Sequence, residues 1–503
     1  MVSYNKMDLG TKKNKKTGGT PSRLSGTPDK TAIFIFQRSL RLHDNIGFYH
    51  AIEDYKTVIP IFIFTPEQVS NTNKFRSLNA IKFMKAALYN LDLELKKYNA
   101  ELYTFYGDNI DVLNCIYSKI GTINSIVCNM DYTLYAEKRE SDIRNFCKNK
   151  NINFEMYEDM LLHPVDTIKT KKDTVYYKYT PFYITAKDMK VQDVKSYTVK
   201  NLILSKNGLM LKDIKSYMNL MDPKDGKDPK DGKDSKDSKD DKDPKAPKAG
   251  PNISDTRKDI LALLNNLPKD YNNNRNILSI NTSKLSAYIK FGIISIREVY
   301  FVFKDTNNTG LISQLFWREF YTIIFYFNKQ LSKRQPLNKS YDLGWKMNKE
   351  YYNKWTTGTT GFPVVDAGMR ELNYTGYMHN RARLITSNFL VKLLEIDWRY
   401  GEQYFATKLV DYDPAVNNGN WMWVAGVGVD TKQYYRIFNP WLQSKNYDKE
   451  CIYIKKWIPE LKDIDNKIIH EWFKVTDIDN DTKYPLAMID YVSKRNEIKL
   501  KWK

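Results

Sequence analysis

Thiols and imidazoles are scarce: the 503 residues contain four cysteines and five histidines. Cys115, Cys128, Cys147 and Cys451 are scattered without CxxC spacing. That spacing argues against a disulfide framework or a thiolate zinc site and fits ordinary buried thiols in a reducing compartment. Also missing is any run near the roughly 20 apolar residues that a membrane span needs. The N-terminal stretch MVSYNKMDLGTKKNKKTGG lacks the apolar segment of a secretory signal. No GxGxxG follows the first apolar run, so the dinucleotide fingerprint is absent. A soluble intracellular protein is expected, with nucleus and cytoplasm both open as compartments.

Aromatic residues and positive charge are abundant. With 36 Tyr, 23 Phe, 10 Trp and a 42% hydrophobic fraction, the chain has ample material for the cores of two or three domains. The 79 Lys and Arg outnumber the 59 Asp and Glu, for a net charge of +20. A polyanionic partner, nucleic acid above all, would supply the counter-charge. A Lys-rich composition selected only for solubility is the competing explanation. The location of the charge bears on the choice. The low-complexity block at residues 222–248 holds nine Asp and nine Lys and is neutral, so the basic excess lies elsewhere.

Composition and periodicity divide the chain into four parts. Residues 1–30 read as a polar, basic, disordered tail. Over 31–165, the runs TAIFIF, TVIPIFIFTP, ELYTFYGD and INSIVCNMDY read as strands, separated by helix-length segments such as NAIKFMKAALYNLDLELKKYN. That alternation predicts an α/β domain with a parallel, Rossmann-like sheet. Residues 166–254 read as a connector carrying the Lys/Asp insert. Residues 255–503 read as one large all-α domain, with helical periodicity in LSAYIKFGIISIREVYFVF, LISQLFWREFYTIIFYFNKQL and ARLITSNFLVKLLEIDW.

Four segments of the helical half mix polar groups with aromatics in ways that core helices do not need. NTSKLSAY clusters Thr282, Ser283 and Ser286 with Lys284 before a helix, which suits a phosphate but also suits a plain N-cap. QLFWREFY sets Arg318 and Glu319 in an apolar helix, where they must pair or face a cleft. GYMHNRARLITSNFLV brings Asn380, Arg381 and Arg383 within four residues, with Arg381 suited to a phosphate and Arg383 to a carboxylate. DYDPAVNNGNWMW combines Asp411, Asp413, Gly419, Trp421 and Trp423. The two tryptophans, two positions apart, point in different directions on a helix and serve different neighbours.

Taken in order, LRLHDN, TSKLS, WREFY, FPVVDAGMRELNYTGYMHNRAR, DYDPAVNNGNWMW and YYRIFNP make the chain resemble the DNA photolyase/cryptochrome superfamily from about residue 31 to 475. The resemblance is nearest to class I cyclobutane pyrimidine dimer photolyases. It implies an N-terminal α/β antenna domain, a long connector and a helical FAD-binding domain. It implies that Tyr271, Thr282, Ser283, Lys284, Leu285, Ser286 and Arg318 contact FAD, with Lys284 where Arg is usual. Arg383, Asp411, Tyr412 and Asp413 would flank the cofactor, and Asn417 would face flavin N5. Trp421, Trp398 and Trp345 would carry electrons between flavin and surface. Arg275, Gln314, Trp317, Tyr321, Asn380, Arg381, Trp423 and Gln443 would contact DNA and the flipped lesion. Gln314 stands where a Glu is usual, and Leu384 where a Met is usual. An antenna chromophore of folate or deazaflavin type is implied near Glu137 and Lys333. The expected activity is light-driven repair of pyrimidine dimers in UV-damaged DNA by a monomer using reduced, anionic FAD. The alternative within the superfamily is a cryptochrome-type blue-light photoreceptor. It is disfavoured because signalling members often add a long C-terminal tail, and this chain ends almost directly after its helical half.

Overall fold

A computed structural model describes residues 30–202, 256–267, 270–337, 344–430, 436–477 and 483–501. The expected basic tail up to residue 29, the second part of the connector and its Lys/Asp insert lie outside the described residues.

Five parallel strands form one sheet in the order β3-β2-β1-β4-β5: β1 Thr31–Phe36, β2 Thr57–Phe64, β3 Tyr103–Tyr106, β4 Ser125–Asn129 and β5 Asn153–Tyr157. The sequence reading identifies four of these. β5 escapes it because NFEMY is an edge strand with no fully buried residue, so it lacks the continuous apolar run of the inner strands. On β1, Ile33 and Ile35 face one layer and Ala32, Phe34 and Phe36 face the other. The first layer is closed by residues of the helices Asn109–Ile120 and Leu134–Lys150, among them Leu113, Ile116, Ile143 and Phe146. The second layer is continuous with the core of the helical half. The inner strands β1, β2 and β4 therefore bury both faces, as the interior of a parallel sheet requires.

A buried ionic cluster ties the loop after β1 to the helical half. Asp159 accepts from Arg41 Nη2 at 2.7 Å and from Arg297 Nη2 at 2.7 Å, and Arg297 Nε donates to Asp44 at 2.8 Å. Gly292 lies against this cluster at φ +63°, and a Cβ there would sit 2.4 Å from Ser39 Cα. Only glycine accepts both the dihedral and the contact.

Two expected helices differ in detail. LSAYIKFGIISIREVYFVF forms two helices, Ser286–Lys290 and Ile296–Asp305, because Gly292 breaks the first and Ser295 with Glu298 makes a capping box for the second. The helix Asn380–Asn388 passes into one π-helical turn, Phe389–Leu393. The thiols also differ: Cys128, Cys147 and Cys451 are buried, but Cys115 is exposed. It sits on the outer side of the amphipathic helix Asn109–Ile120, whose Val112, Leu113 and Ile116 face inward. Among the described residues, no helix is long and apolar enough to cross a membrane, and no cluster of His, Cys, Asp and Glu could hold a metal ion.

Candidate functional site

The helical half surrounds a cavity of about 530 Å³. That lies in the range of small-molecule and cofactor sites, roughly 300–1,000 Å³. Its wall comes from the segment 271–290, the helix Thr309–Phe327, the helix Asn380–Asn388 and the helix Pro414–Ala425 with the loop before it.

The helix Pro414–Ala425 begins where it does because Pro414 supplies a pre-set φ at its first position and Asp413 caps it. Asp413 Oδ1 accepts from the backbone N–H of Ala415 at 3.0 Å and of Val416 at 3.2 Å. Its other oxygen takes a 3.0 Å bond from Arg38 Nη1. Burial raises the Asp413 carboxyl, but Arg38 and Arg318 outweigh it and hold the group below its ordinary value. The two aspartates have different partners. Asp411 Oδ2 accepts from Arg383 Nη2 at 2.9 Å and from Ser286 Oγ at 2.6 Å. Asp411 Oδ1 is buried with no hydrogen-bond partner among the described residues.

Cations and hydroxyls converge on the same space. Lys284, Lys290, Arg318 and Arg383 line the cavity with Thr282, Ser283, Ser286 and Tyr377. Thr282 and Tyr377 pair through their hydroxyls at 3.2 Å. Burial pulls Lys290 down to about 7, with Arg38 adding to the effect and Asp413, Asp411 and Asp131 opposing it. Arg318 and Glu319, adjacent in sequence, part company on their helix. Arg318 lines the cavity and donates to the Met160 carbonyl at 2.6 Å, while Glu319 turns inward to accept from the His163 backbone N–H at 2.8 Å.

Asn417 is positioned by a residue the sequence reading missed. Its Nδ2 donates to the Glu402 carbonyl at 3.1 Å and to Glu402 Oε1 at 3.3 Å. Burial pushes the Glu402 carboxyl up to about 7, against the nearby Arg334. A carboxyl at position 402 facing an amide fifteen residues later carries no local sequence signal.

The two tryptophans of DYDPAVNNGNWMW do diverge. Trp421 is buried, meets Phe405 edge-on at 5.0 Å, and presses on Gly401, where a Cβ would lie 2.2 Å from the indole. Trp423 is half-buried and donates from Nε1 to the Asp430 carbonyl at 3.1 Å. Gly419 admits the ring of Tyr321, which a Cβ would meet at 2.2 Å.

Of the residues named from the sequence, the cavity gathers Tyr271, Arg275, Thr282, Ser283, Lys284, Leu285, Ser286, Gln314, Trp317, Arg318, Tyr321, Asn380, Arg381, Arg383, Asp411, Tyr412, Asp413, Asn417, Trp421 and Trp423. Arg275 and Asn380 are exposed, and Arg381 donates to Asn276 Oδ1 at 2.6 Å and lies over the Tyr447 ring at 4.4 Å. Gln443 does not line it; this half-buried side chain sits on the helix Pro440–Tyr447. Trp398 is fully buried outside the lining and Trp345 is half-buried. Glu137 and Lys333 also lie apart from the cavity, and Glu137 pairs with Lys329 rather than Lys333.

Arginines, lysines and hydroxyls for phosphates, an unsatisfied buried carboxylate oxygen, and apolar walls from Leu285, Leu311, Leu315 and Leu409 fit a large ring-bearing diphosphate such as FAD. Fold and site together define a cofactor-binding protein with an aromatic, cationic cavity. Comparison with known proteins gives the family. Residues 32–197 match the model described as DNA photolyase, and residues 311–503 match the one described as FAD binding domain of DNA photolyase. A deoxyribodipyrimidine photo-lyase of Buchnera aphidicola subsp. Baizongia pistaciae is 32% identical over 93% of this chain and 97% of its own. One from Alkalihalophilus pseudofirmus is 30% identical over 94% of this chain and 98% of its own. The crystal structure of an archaeal photolyase from Sulfolobus tokodaii, which holds two FAD molecules, superposes with a TM-score of 0.80 at 34% identity, covering 94% of this chain and 99% of that one. The chain belongs to the DNA photolyase family.

Proposed function

We propose that this protein is a deoxyribodipyrimidine photo-lyase that uses FAD and blue light to repair cyclobutane pyrimidine dimers in UV-damaged DNA, acting as an intracellular monomer. The observation that carries this reading is one cavity lined both by the Arg383–Asp411 pair with its surrounding hydroxyls and by the flat rings of Trp317 and Trp423. The first group suits a flavin dinucleotide, and the second suits bases taken out of the stack.

Tyr271, Thr282, Ser283, Lys284, Leu285, Ser286 and Arg318 would hold the phosphates and ribityl chain, and Arg383, Asp411, Tyr412, Asp413 and Asn417 would flank the rings. Held there, FAD in its reduced, anionic form would supply light-driven electron-transfer chemistry for splitting the cyclobutane ring. Glu402 orients the Asn417 amide, and burial raises the Glu402 carboxyl beside it. Trp421, Trp398 and Trp345 relay electrons inward when the cofactor must be reduced. Arg275, Asn380, Arg381 and Gln443 meet the DNA, with the two arginines on phosphates. Trp317, Tyr321 and Trp423 enclose the dimer and exclude water. Gln314 donates its amide N–H to a base edge but, unlike a carboxyl, offers no proton.

The test is illumination of the reduced protein with an oligonucleotide containing one thymine dimer. Recovery of thymine absorbance in light, and none in the dark, is expected. An intact dimer with FAD bound would point instead to a photoreceptor.

A further inference from the structure

The two aromatic walls of the cavity are fastened to the same short piece of the connector. Tyr179 lies flat on Trp317, with ring centroids 3.6 Å apart and planes 7° from parallel. Its hydroxyl reaches Ser313, with Oη–Oγ 2.8 Å and a 2.8 Å bond to the Ser313 carbonyl. Ser313 and Trp317 are four residues apart on the helix Thr309–Phe327, so Tyr179 spans one helical turn and clamps it at both ends. Phe320 meets Trp317 edge-on at 5.7 Å, and Tyr321 tilts against it at 5.5 Å.

Trp423 is held from the same segment through Asp430. The Asp430 carbonyl accepts the Trp423 indole N–H at 3.1 Å. Asp430 N–H donates to the Tyr177 carbonyl at 3.1 Å, and its carboxylate accepts the Tyr179 N–H at 3.3 Å. Asp430 adopts φ +52°, a left-handed dihedral that Asp tolerates better than most residues. Tyr177 is anchored in turn by its hydroxyl, which donates to Asn328 Oδ1 at 3.0 Å.

We infer that Tyr179 and Asp430 are positioning residues that set the spacing and tilt of Trp317 relative to Trp423, and so the selectivity of the cavity for two covalently joined bases. The inference rests on the reading of those tryptophans as the walls around the lesion. Stacking by Tyr179 restrains Trp317 against rotation, and the Asp430 carbonyl fixes the Trp423 indole in its plane. Neither residue needs to touch DNA for this.

The decisive experiment compares Tyr179→Leu, Tyr179→Phe and Asp430→Gly in the FAD-loaded protein, using a thymine-dimer oligonucleotide and the same strand undamaged. Tyr179→Leu is expected to raise KM for the dimer about tenfold, leave kcat within about twofold, and leave undamaged-strand affinity and FAD absorbance unchanged. Tyr179→Phe keeps the ring and should remain within about twofold of the parent in KM. Asp430→Gly preserves the dihedral, removes the acceptor for Tyr179, and should raise KM about threefold. Near-ultraviolet circular dichroism should lose the signal of the stacked pair in Tyr179→Leu alone. Unchanged dimer KM in both Tyr179→Leu and Asp430→Gly would overturn the inference, as would equal weakening on damaged and undamaged strands. If Tyr179→Leu loses FAD, Asp430→Gly decides. A parent protein that does not distinguish the two strands would overturn the functional reading itself, and the inference with it.

Discussion

Arg383 and Asp411, 28 positions apart, form a single ion pair at the cavity wall: Nη2 donates to Oδ2 at 2.9 Å while Nε donates to the Met378 carbonyl at 2.8 Å. The guanidinium thereby bridges the start of one helix and the approach to another, and leaves Asp411 Oδ1 for a ligand. Arg383→Ala should strip the pair and lower FAD affinity at least about tenfold, or about 1.4 kcal/mol. Arg383→Lys should recover only part, because an ammonium lacks the fork that reaches both acceptors. Equilibrium titration of the stripped protein with FAD measures both.

Trp421 lines the cavity and meets Phe405 and Trp355 edge-on. Trp421→Phe should block light-driven reduction of the cofactor while sparing repair by chemically reduced protein. Absorbance changes under illumination and dimer repair are followed in parallel, and equal loss of both would refute the division of roles.

Gln314 lines the cavity, and among the described residues its amide makes a long 3.5 Å bond to the Gly310 carbonyl. Gln314→Glu should raise the repair yield per absorbed photon, since a protonated carboxyl can support negative charge on the dimer. The yield is read from repaired oligonucleotide at low light dose.

Arg381 is steered by Asn276 and Tyr447 toward the rim that also carries Arg275 and Asn380. Arg381→Ala should weaken DNA binding and make its salt dependence shallower by about 0.9 in the log–log slope, the loss of roughly one phosphate contact. Binding isotherms from about 50 to 200 mM salt test this.

Asp159 carries the acid sensitivity of the contact between the sheet and the helical half. Burial pushes its carboxyl up, but Arg41 and Arg297 outweigh that and hold it at about 2. A depressed folded-state value stabilises above the unfolded value near 3.8 and is lost as pH falls through 2. The shift corresponds to roughly 2 kcal/mol. In urea unfolding, the stability gap between the parent and Asp159→Asn should therefore narrow by about that amount between pH 6 and pH 2.

Much of this was legible in the sequence. Apolar runs such as AIFIF and VIPIFIF mark inner strands because both faces of a parallel sheet are buried. DYDPAVNNGNWMW advertises a site because its polar and aromatic groups suit neither core nor solvent. Other features were not legible. The edge strand β5 lacks the apolar run. Arg318 and Glu319 had either to pair or to face a cleft, and no local pattern showed that only Arg318 would line the cavity while Glu319 turned inward. That Gln443, expected at the DNA, stands off the cavity wall was not visible either.

Local order and residue chemistry therefore determined the elements, the helical half and most of the cavity's lining. Tertiary structure alone decided which groups meet: Glu402 behind Asn417, Tyr179 behind Trp317, and Asp430 joining Trp423 to the connector. The reason is range. Periodicity and capping act within a few residues, whereas a stacked ring or a buried carboxyl finds its partner across 138 or 15 positions, through packing that no local pattern records.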